Sequence, residues 1–165
     1  KEVLLGGNSN ESTLYLHQEF PLKFPLKPEL NLTRGKLVHT IQRLLGNLSM
    51  TNSFVDGIFT AFARRNVTND TDVASHFLIF LSDFIFKGPV FKFAKSWTDN
   101  THSKVYLYQF DEPVSHFPNW IGPAHWVEMD FVFGMALLYP EKYTLAQRQL
   151  CIRMIQAWTH FAKTG

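Results

Sequence analysis

Residues 118–134 read Pro-Asn-Trp-Ile-Gly-Pro-Ala-His-Trp-Val-Glu-Met-Asp-Phe-Val-Phe-Gly, and this stretch indicates the fold more strongly than any other part of the chain. It places His125 between a turn of small residues and a short apolar segment, with the carboxylate of Glu128 three residues later. An imidazole held on a loop beyond a strand can act as a general base and then as a general acid. Most single histidines are structural, so the stretch predicts a site only where a second group accompanies it.

Two short segments predict β-strands. Val105–Phe110 is β-branched and aromatic, which is typical of a strand, and it ends shortly before the histidine loop. The apolar run over 3–7 predicts a buried strand near the start of the sequence. Two strands alone do not form a stable sheet, so we expect other strands to complete it.

Apolar residues at helical spacing predict several helices between these strands, among them one over 36–45 and one capped by Asp72. Gly88 predicts the end of the second of these helices, and Pro89 predicts the start of the next. After the histidine loop, Thr144 predicts the N-cap of a last helix. The order along the chain is therefore a strand, several helices, a second strand, a loop and further helices.

Composition restricts the classes of protein that fit. A length of 165 residues suits one domain, and 45% apolar against 18% charged residues excludes a disordered chain. The net charge of +2 comes from scattered basic residues, so we expect no nucleic acid partner, and no apolar run is long enough to form a transmembrane segment. Cys151 is the single cysteine, which predicts a buried free thiol or, as the alternative, a bridge to another chain.

The sequence is rich in sites for N-linked glycans. Roughly one Asn-x-Ser/Thr sequon is expected by chance, whereas the chain has several more. They begin at Asn10, Asn31, Asn47, Asn66 and Asn69. The excess predicts a secreted or extracellular glycoprotein, and the alternative is chance in a chain rich in asparagine and threonine.

Glu11 is the candidate second group for the histidine. It lies in the polar turn that follows the first predicted strand, and it precedes His125 in the chain. In α/β-hydrolases the catalytic acid follows a strand, and the chain order is serine, acid, histidine. A carboxylate on one imidazole nitrogen fixes the tautomer that lets the other nitrogen accept a proton. The Gly-x-Ser-x-Gly motif that would supply the serine does not occur in the sequence.

Several segments together resemble the type-B carboxylesterase/cholinesterase family. Residues 118–134 are similar to its Pro-x-Trp, Gly-x-x-His-Gly-x-Glu and Phe/Tyr-x-Phe-Gly pattern, and residues 157–165 to its Trp-x-Asn-Phe-Ala-(Arg/Lys)-(Asn/Thr)-Gly signature. Residues 81–89 resemble its Asp-x-x-Phe-x-x-Pro helix, and 10–12 occupy the place of its Asp-Glu-Gly. The resemblance spans residues 3–165, with the motifs in the family's order.

This resemblance implies the C-terminal part of an α/β-hydrolase fold, with residues 1–165 as a segment of one domain. Helices would pack on a mostly parallel sheet that a separate N-terminal chain of the same precursor completes. That chain would carry the serine nucleophile and the oxyanion hole. Glu11 would be the triad acid and His125 the base, without a cofactor or a metal ion. Glu128 would lie behind the site, or else be a polar residue at a helix start, and Asn10 would stay unmodified.

One departure from the family pattern bears on function. Trp126 stands where the family has a glycine after the catalytic histidine, so we expect its indole to narrow the active-site gorge or to reshape substrate entry. The first hypothesis is a serine esterase or lipase-like hydrolase that acts on an ester substrate. The alternative is a non-catalytic, cholinesterase-like protein for adhesion or for binding an apolar ligand. A small all-helical binder conflicts with the strand patterns.

Overall fold

The computed structural model describes residues 2–28, 30, 33–46, 52–63 and 70–165. Its strands are β1, Val3–Asn8, and β2, Val105–Phe110. The helices in this part of the chain are α1 Ser12–Glu19, α2 Arg34–Gly46, α3 Asn52–Ala63, α4 Asp70–Ser82, α5 Gly88–Thr101, α6 Met129–Val132, α7 Met135–Leu138 and α8 Leu145–Thr164. A π-helical turn, Asp83–Lys87, joins α4 to α5, and a 3₁₀ turn, Pro140–Lys142, precedes α8.

The two strands form a parallel pair. Their register runs from Val3 opposite Val105 to Asn8 opposite Phe110. The backbone N–H of Ser9 extends this ladder by donating to the carbonyl of Phe110 at 3.0 Å. Parallel neighbours need a long crossover, and α1 to α5 provide it. The predicted α/β class with a parallel sheet is therefore confirmed.

The apolar side chains form two clusters. The first lies among the helices of the crossover and consists of Leu16, Phe24, Leu37, Ile41, Ile58, Val73, Ala74, Phe77, Leu78 and Leu81. The second lies beneath the histidine loop and consists of Phe110, Val114, Ile121, Ala124, Val127, Phe131, Ala136, Tyr143, Cys151 and Met154. Trp120 packs against both clusters. Helices α1 to α4 thus bury apolar side chains against one another, whereas α5 contacts both strands of the sheet.

The helical segment from α4 to α5 is continuous, so the helix break predicted at Gly88 is wrong. Helix α4 begins at Asp70, so Asp72 lies inside the helix and not at its predicted cap. The N–H of Gly88 donates to the carbonyl of Asp83, five residues back, which is the wider π-helical spacing. A Cβ at position 88 would lie 2.9 Å from that oxygen, so glycine permits the turn. The changed spacing accommodates Pro89, which has no N–H to donate.

The predicted start of the last helix is confirmed. Thr144 and Gln147 form a capping box, in which the N–H of Gln147 donates to Oγ1 of Thr144 at 3.2 Å and the N–H of Thr144 donates to Oε1 of Gln147 at 2.9 Å. The hydroxyl of Tyr143 donates to Oδ2 of Asp130 at 2.6 Å, one residue before the cap. These bonds fix α8 against the segment that follows the histidine loop.

Cys151 is a free thiol that is fully buried on α8, as predicted, and its Sγ donates to the carbonyl of Phe131 at 3.1 Å. Burial raises the pKa of the thiol above its ordinary value, so the thiolate is scarce at pH 8. Because the thiolate is the form that reacts, we expect iodoacetamide to alkylate native Cys151 much more slowly than the denatured chain. Mass spectrometry of a labelling time course measures both rates, and equal rates would contradict this burial.

Candidate active site

The structure brings Glu11 and His125 together, although 114 residues separate them in the chain. Nδ1 of His125 donates to Oε2 of Glu11 at 2.6 Å. The Glu11 side chain is 8% exposed and the His125 side chain is 41% exposed. The carboxylate is therefore inside the protein, whereas the imidazole keeps an open side from which its Nε2 can reach another group.

The turn after β1 holds Glu11 in place. The backbone N–H of Asn8 donates to Oε1 of Glu11 at 2.7 Å, so each carboxylate oxygen has a donor. The next residue, Ser12, is fully buried and ties the turn to α4. Its backbone N–H donates to Oγ of Ser82 at 3.1 Å, and its hydroxyl donates to the carbonyl of Leu78 at 2.9 Å. A serine at position 12, where the family has a glycine, thus anchors the acid turn.

The loop after β2 returns beside the same turn and places His125. The N–H of Asn10 donates to the carbonyl of Pro123 at 2.9 Å, and the hydroxyl of Thr13 donates to that of Ile121 at 2.8 Å. Gly122 has φ +61°, and a Cβ there would lie 2.2 Å from Nδ2 of Asn10. Glycine therefore allows the two segments to approach closely enough for the carboxylate and the imidazole to meet.

Sequence reasoning missed Asn8, which links Glu128 to the site. The Asn8 side chain is fully buried, and its Nδ2 donates to the carbonyl of Ala124 and to Oε2 of Glu128, each at 2.5 Å. Glu128 is the residue before α6, but its side chain turns inward. A short polar residue at a strand end is commonly a turn residue. The position of Asn8, directly before the turn that carries Glu11, was the sequence feature that pointed to this role.

Two aromatic rings contact the imidazole of His125. The Phe86 ring centroid lies 5.1 Å from it and the Trp126 centroid 5.3 Å from it. Phe86 comes from the π-helical turn between α4 and α5, and no sequence pattern indicated its contact with His125. Trp126 has φ +74°, a left-handed conformation that costs on the order of 1–3 kcal/mol for a non-glycine residue.

A cavity of about 330 Å³ opens beside the pair. Glu11, His125 and Glu128 contribute to its wall, as do Tyr108 and Lys87. Burial raises the pKa of Tyr108, and the negative charges of Glu128 and Glu11 raise it further, so its phenol stays protonated. Lys87 is paired with Asp83 at 2.6 Å. The cavity wall thus combines one imidazole, a neutral phenol, two carboxylates and the paired Lys87 with a group of apolar side chains.

The arrangement can transfer a proton at Nε2 of His125. Because Glu11 accepts from Nδ1, the neutral imidazole carries its proton there and leaves Nε2 as a lone-pair acceptor. Within the described residues, no group of three or more His, Cys, Asp or Glu side chains could hold a metal ion, and no helix could cross a membrane.

Four of the five candidate glycosylation sites fall outside the described residues: Asn31, Asn47, Asn66 and Asn69. Asn10 is described, and its Nδ2 donates to the carbonyl of Ile121 at 3.3 Å. A glycan on that nitrogen would disrupt the contact, so an unmodified Asn10 stays our prediction.

The sequence of the whole chain is similar to those of known proteins. A sequence profile of the carboxylesterase family matches residues 1–165. Acetylcholinesterase-1 of Trittame loki is 32% identical over 168 residues, covering 98% of this chain and 30% of that protein. Acetylcholinesterase of Leptinotarsa decemlineata is 28% identical over 167 residues, covering 99% and 26%, respectively. Carboxylesterase 3 of Homo sapiens is 34% identical over 97 residues, covering 52% and 17%. The chain thus spans less than a third of each of these relatives.

Gly7 lies where a side chain would disturb the acid. A Cβ at this position would lie 2.8 Å from Oε1 of Glu11, which the N–H of Asn8 holds in place. We expect Gly7→Ala to lower the free energy of unfolding of the full-length protein by about 1–3 kcal/mol, as overpacking does. Urea unfolding measures the change.

Gly57→Ala is the matched control, because among the described residues no atom beyond its chain neighbours and its own helix backbone lies within 4 Å of a Cβ at that position in α3. This variant should stabilise the protein by about 0.5–1 kcal/mol, the usual gain from alanine inside a helix. Equal effects of the two substitutions would show that Glu11 is not held as described.

Proposed function

The chain belongs to the carboxylesterase family, and we propose that it supplies the acid, Glu11, and the base, His125, of a Ser-Glu-His triad in a carboxylic ester hydrolase. The observation that supports this most directly is the 2.6 Å hydrogen bond from Nδ1 of His125 to Oε2 of Glu11. The bond has the polarity that a triad requires, since the carboxylate accepts from one ring nitrogen and leaves the other free.

In the proposed reaction, Nε2 of His125 takes the proton from a serine hydroxyl as its oxygen attacks the ester carbonyl. Glu11 stabilises the imidazolium that forms and keeps the ring in one tautomer. The imidazolium then gives its proton to the leaving alcohol, and an acyl-enzyme remains. A water molecule, activated by the same nitrogen, attacks the acyl group and restores the serine.

The serine would come from the N-terminal part of the same precursor, as a separate chain or a preceding segment. Two observations support this. The Gly-x-Ser-x-Gly motif does not occur in the 165 residues, and the side of the cavity near β2 carries exposed apolar side chains. Phe91 is 58% exposed and Leu107 is 47% exposed, although both line the cavity. A protein segment that covers them would remove an unfavourable apolar surface from water.

The chemistry of the cavity indicates the class of substrate. Ile85, Phe86, Val90, Phe91 and Leu107 make much of its wall apolar. Such a wall favours an uncharged ester with an apolar acyl or alcohol part. We also propose that the protein is secreted or extracellular and carries glycans at Asn31, Asn47, Asn66 and Asn69, on the strength of the sequon excess.

A non-catalytic protein for adhesion or for binding an apolar ligand is the second candidate. Trp126 favours it, because a large residue stands beside His125 where the family has a glycine. Labelling of the full-length protein with a fluorophosphonate probe separates the two candidates. Covalent labelling of a serine indicates a working triad, and no labelling of a protein that has that serine indicates a silent site.

His125→Ala tests the assigned base. We expect this variant of the full-length protein to hydrolyse p-nitrophenyl butyrate at least about a thousandfold more slowly than the wild type, because the serine then has no proton acceptor. His160→Ala, which removes an exposed histidine on α8, is the control and should keep wild-type turnover. Turnover near the wild-type rate in His125→Ala would overturn the assignment.

A further inference from the structure

Trp126 has an unfavourable backbone conformation, an exposed side chain and a ring contact with His125. Its backbone has φ +74°, which disfavours a large side chain, and its side chain is 67% exposed. Among the described residues, the ring contact recorded for its indole is the one with His125, with centroids 5.3 Å apart and planes 30° apart. A strained backbone that carries an exposed aromatic ring onto a histidine is best explained by that contact.

Phe86 provides a second ring contact from a different element. Its centroid lies 5.1 Å from that of the imidazole, with an interplanar angle of 43°. Phe86 lines the cavity, whereas Trp126 is not part of the cavity wall. The two rings therefore reach His125 from different surroundings, since Phe86 belongs to the cavity wall and Trp126 lies outside it.

We propose that Trp126 and Phe86 form an aromatic clamp on His125, in which Trp126 is a positioning residue that covers the outer part of the imidazole. The hydrogen bond to Glu11 fixes Nδ1 but leaves the ring free to tilt about that point. Packing against two rings removes much of this freedom.

The clamp's effect on catalysis rests on the proposed ester hydrolysis, but its effect on His125 can be measured without any turnover. Diethyl pyrocarbonate acylates a neutral imidazole at an accessible nitrogen, and here Nε2 is the nitrogen that Glu11 leaves free. Peptide mass spectrometry gives the rate of modification at His125 itself. This rate depends on how accessible the imidazole is and on its orientation. If Trp126 only stabilised the fold away from His125, its replacement would not change the rate.

Three substitutions in the full-length protein separate the ring from the backbone. Trp126→Asn removes the ring but tolerates a left-handed conformation, and Trp126→Phe keeps an aromatic ring. Phe133→Asn is the matched control, because Phe133 is 68% exposed, as Trp126 is 67% exposed, and it lies only seven residues further along. It removes a similar exposed apolar side chain without touching the clamp.

We expect Trp126→Asn to raise the rate of His125 modification several-fold and to lower kcat for an activated ester about tenfold or more, with KM unchanged. Trp126→Phe should restore both values most of the way, and Phe133→Asn should match the wild type. If Trp126→Asn behaves like Phe133→Asn in an enzyme that hydrolyses esters, the clamp is wrong and the proposed function stands. If the wild type hydrolyses no ester but Trp126→Asn still speeds His125 modification, the proposed function fails and the clamp stands.

Discussion

The hydrogen bond from Nδ1 of His125 to Oε2 of Glu11 joins two residues that are 114 positions apart in the chain. The two bonded atoms are 2.6 Å apart. The parallel pairing of β1 with β2 makes this meeting possible, because both turns follow the same ends of adjacent strands. The contacts of Asn10 with the carbonyl of Pro123 and of Thr13 with that of Ile121 extend the alignment beyond the strands. The site is therefore a direct product of the sheet register.

A buried carboxylate is costly unless donors surround it, and the structure provides these donors from local backbone and from the histidine. The N–H of Asn8 and Nδ1 of His125 each serve one oxygen of Glu11. The side-chain amide of Asn8 also donates to Glu128, so one residue connects both carboxylates of the site through its backbone N–H and its side chain. Gly7 lies where a Cβ would come within 2.8 Å of Oε1 of Glu11, and Gly122 lies where one would come within 2.2 Å of Nδ2 of Asn10, so we expect side chains at these positions to disturb the turn.

The sequence was sufficient for the features that depend on local chemistry or on family motifs. It predicted both strands, the cap at Thr144, the buried thiol of Cys151, and the two residues that the structure joins by a hydrogen bond. It did not predict Asn8 or Phe86, because their contacts with the site depend on tertiary placement and on a π-helical turn that no local pattern indicates. The break predicted at Gly88 failed for the same reason, since the widened turn accommodates the glycine and the proline that usually end a helix.

The central claim is that Glu11 holds the Nδ1 proton of His125. The most direct test is a proton NMR spectrum of the full-length protein labelled with ¹⁵N-histidine, recorded at neutral pH. We predict a strongly downfield, slowly exchanging proton bonded to Nδ1 of His125, and its loss in Glu11→Gln, where a neutral amide replaces the carboxylate. A spectrum without this resonance, or one in which Glu11→Gln leaves it unchanged, would contradict the account.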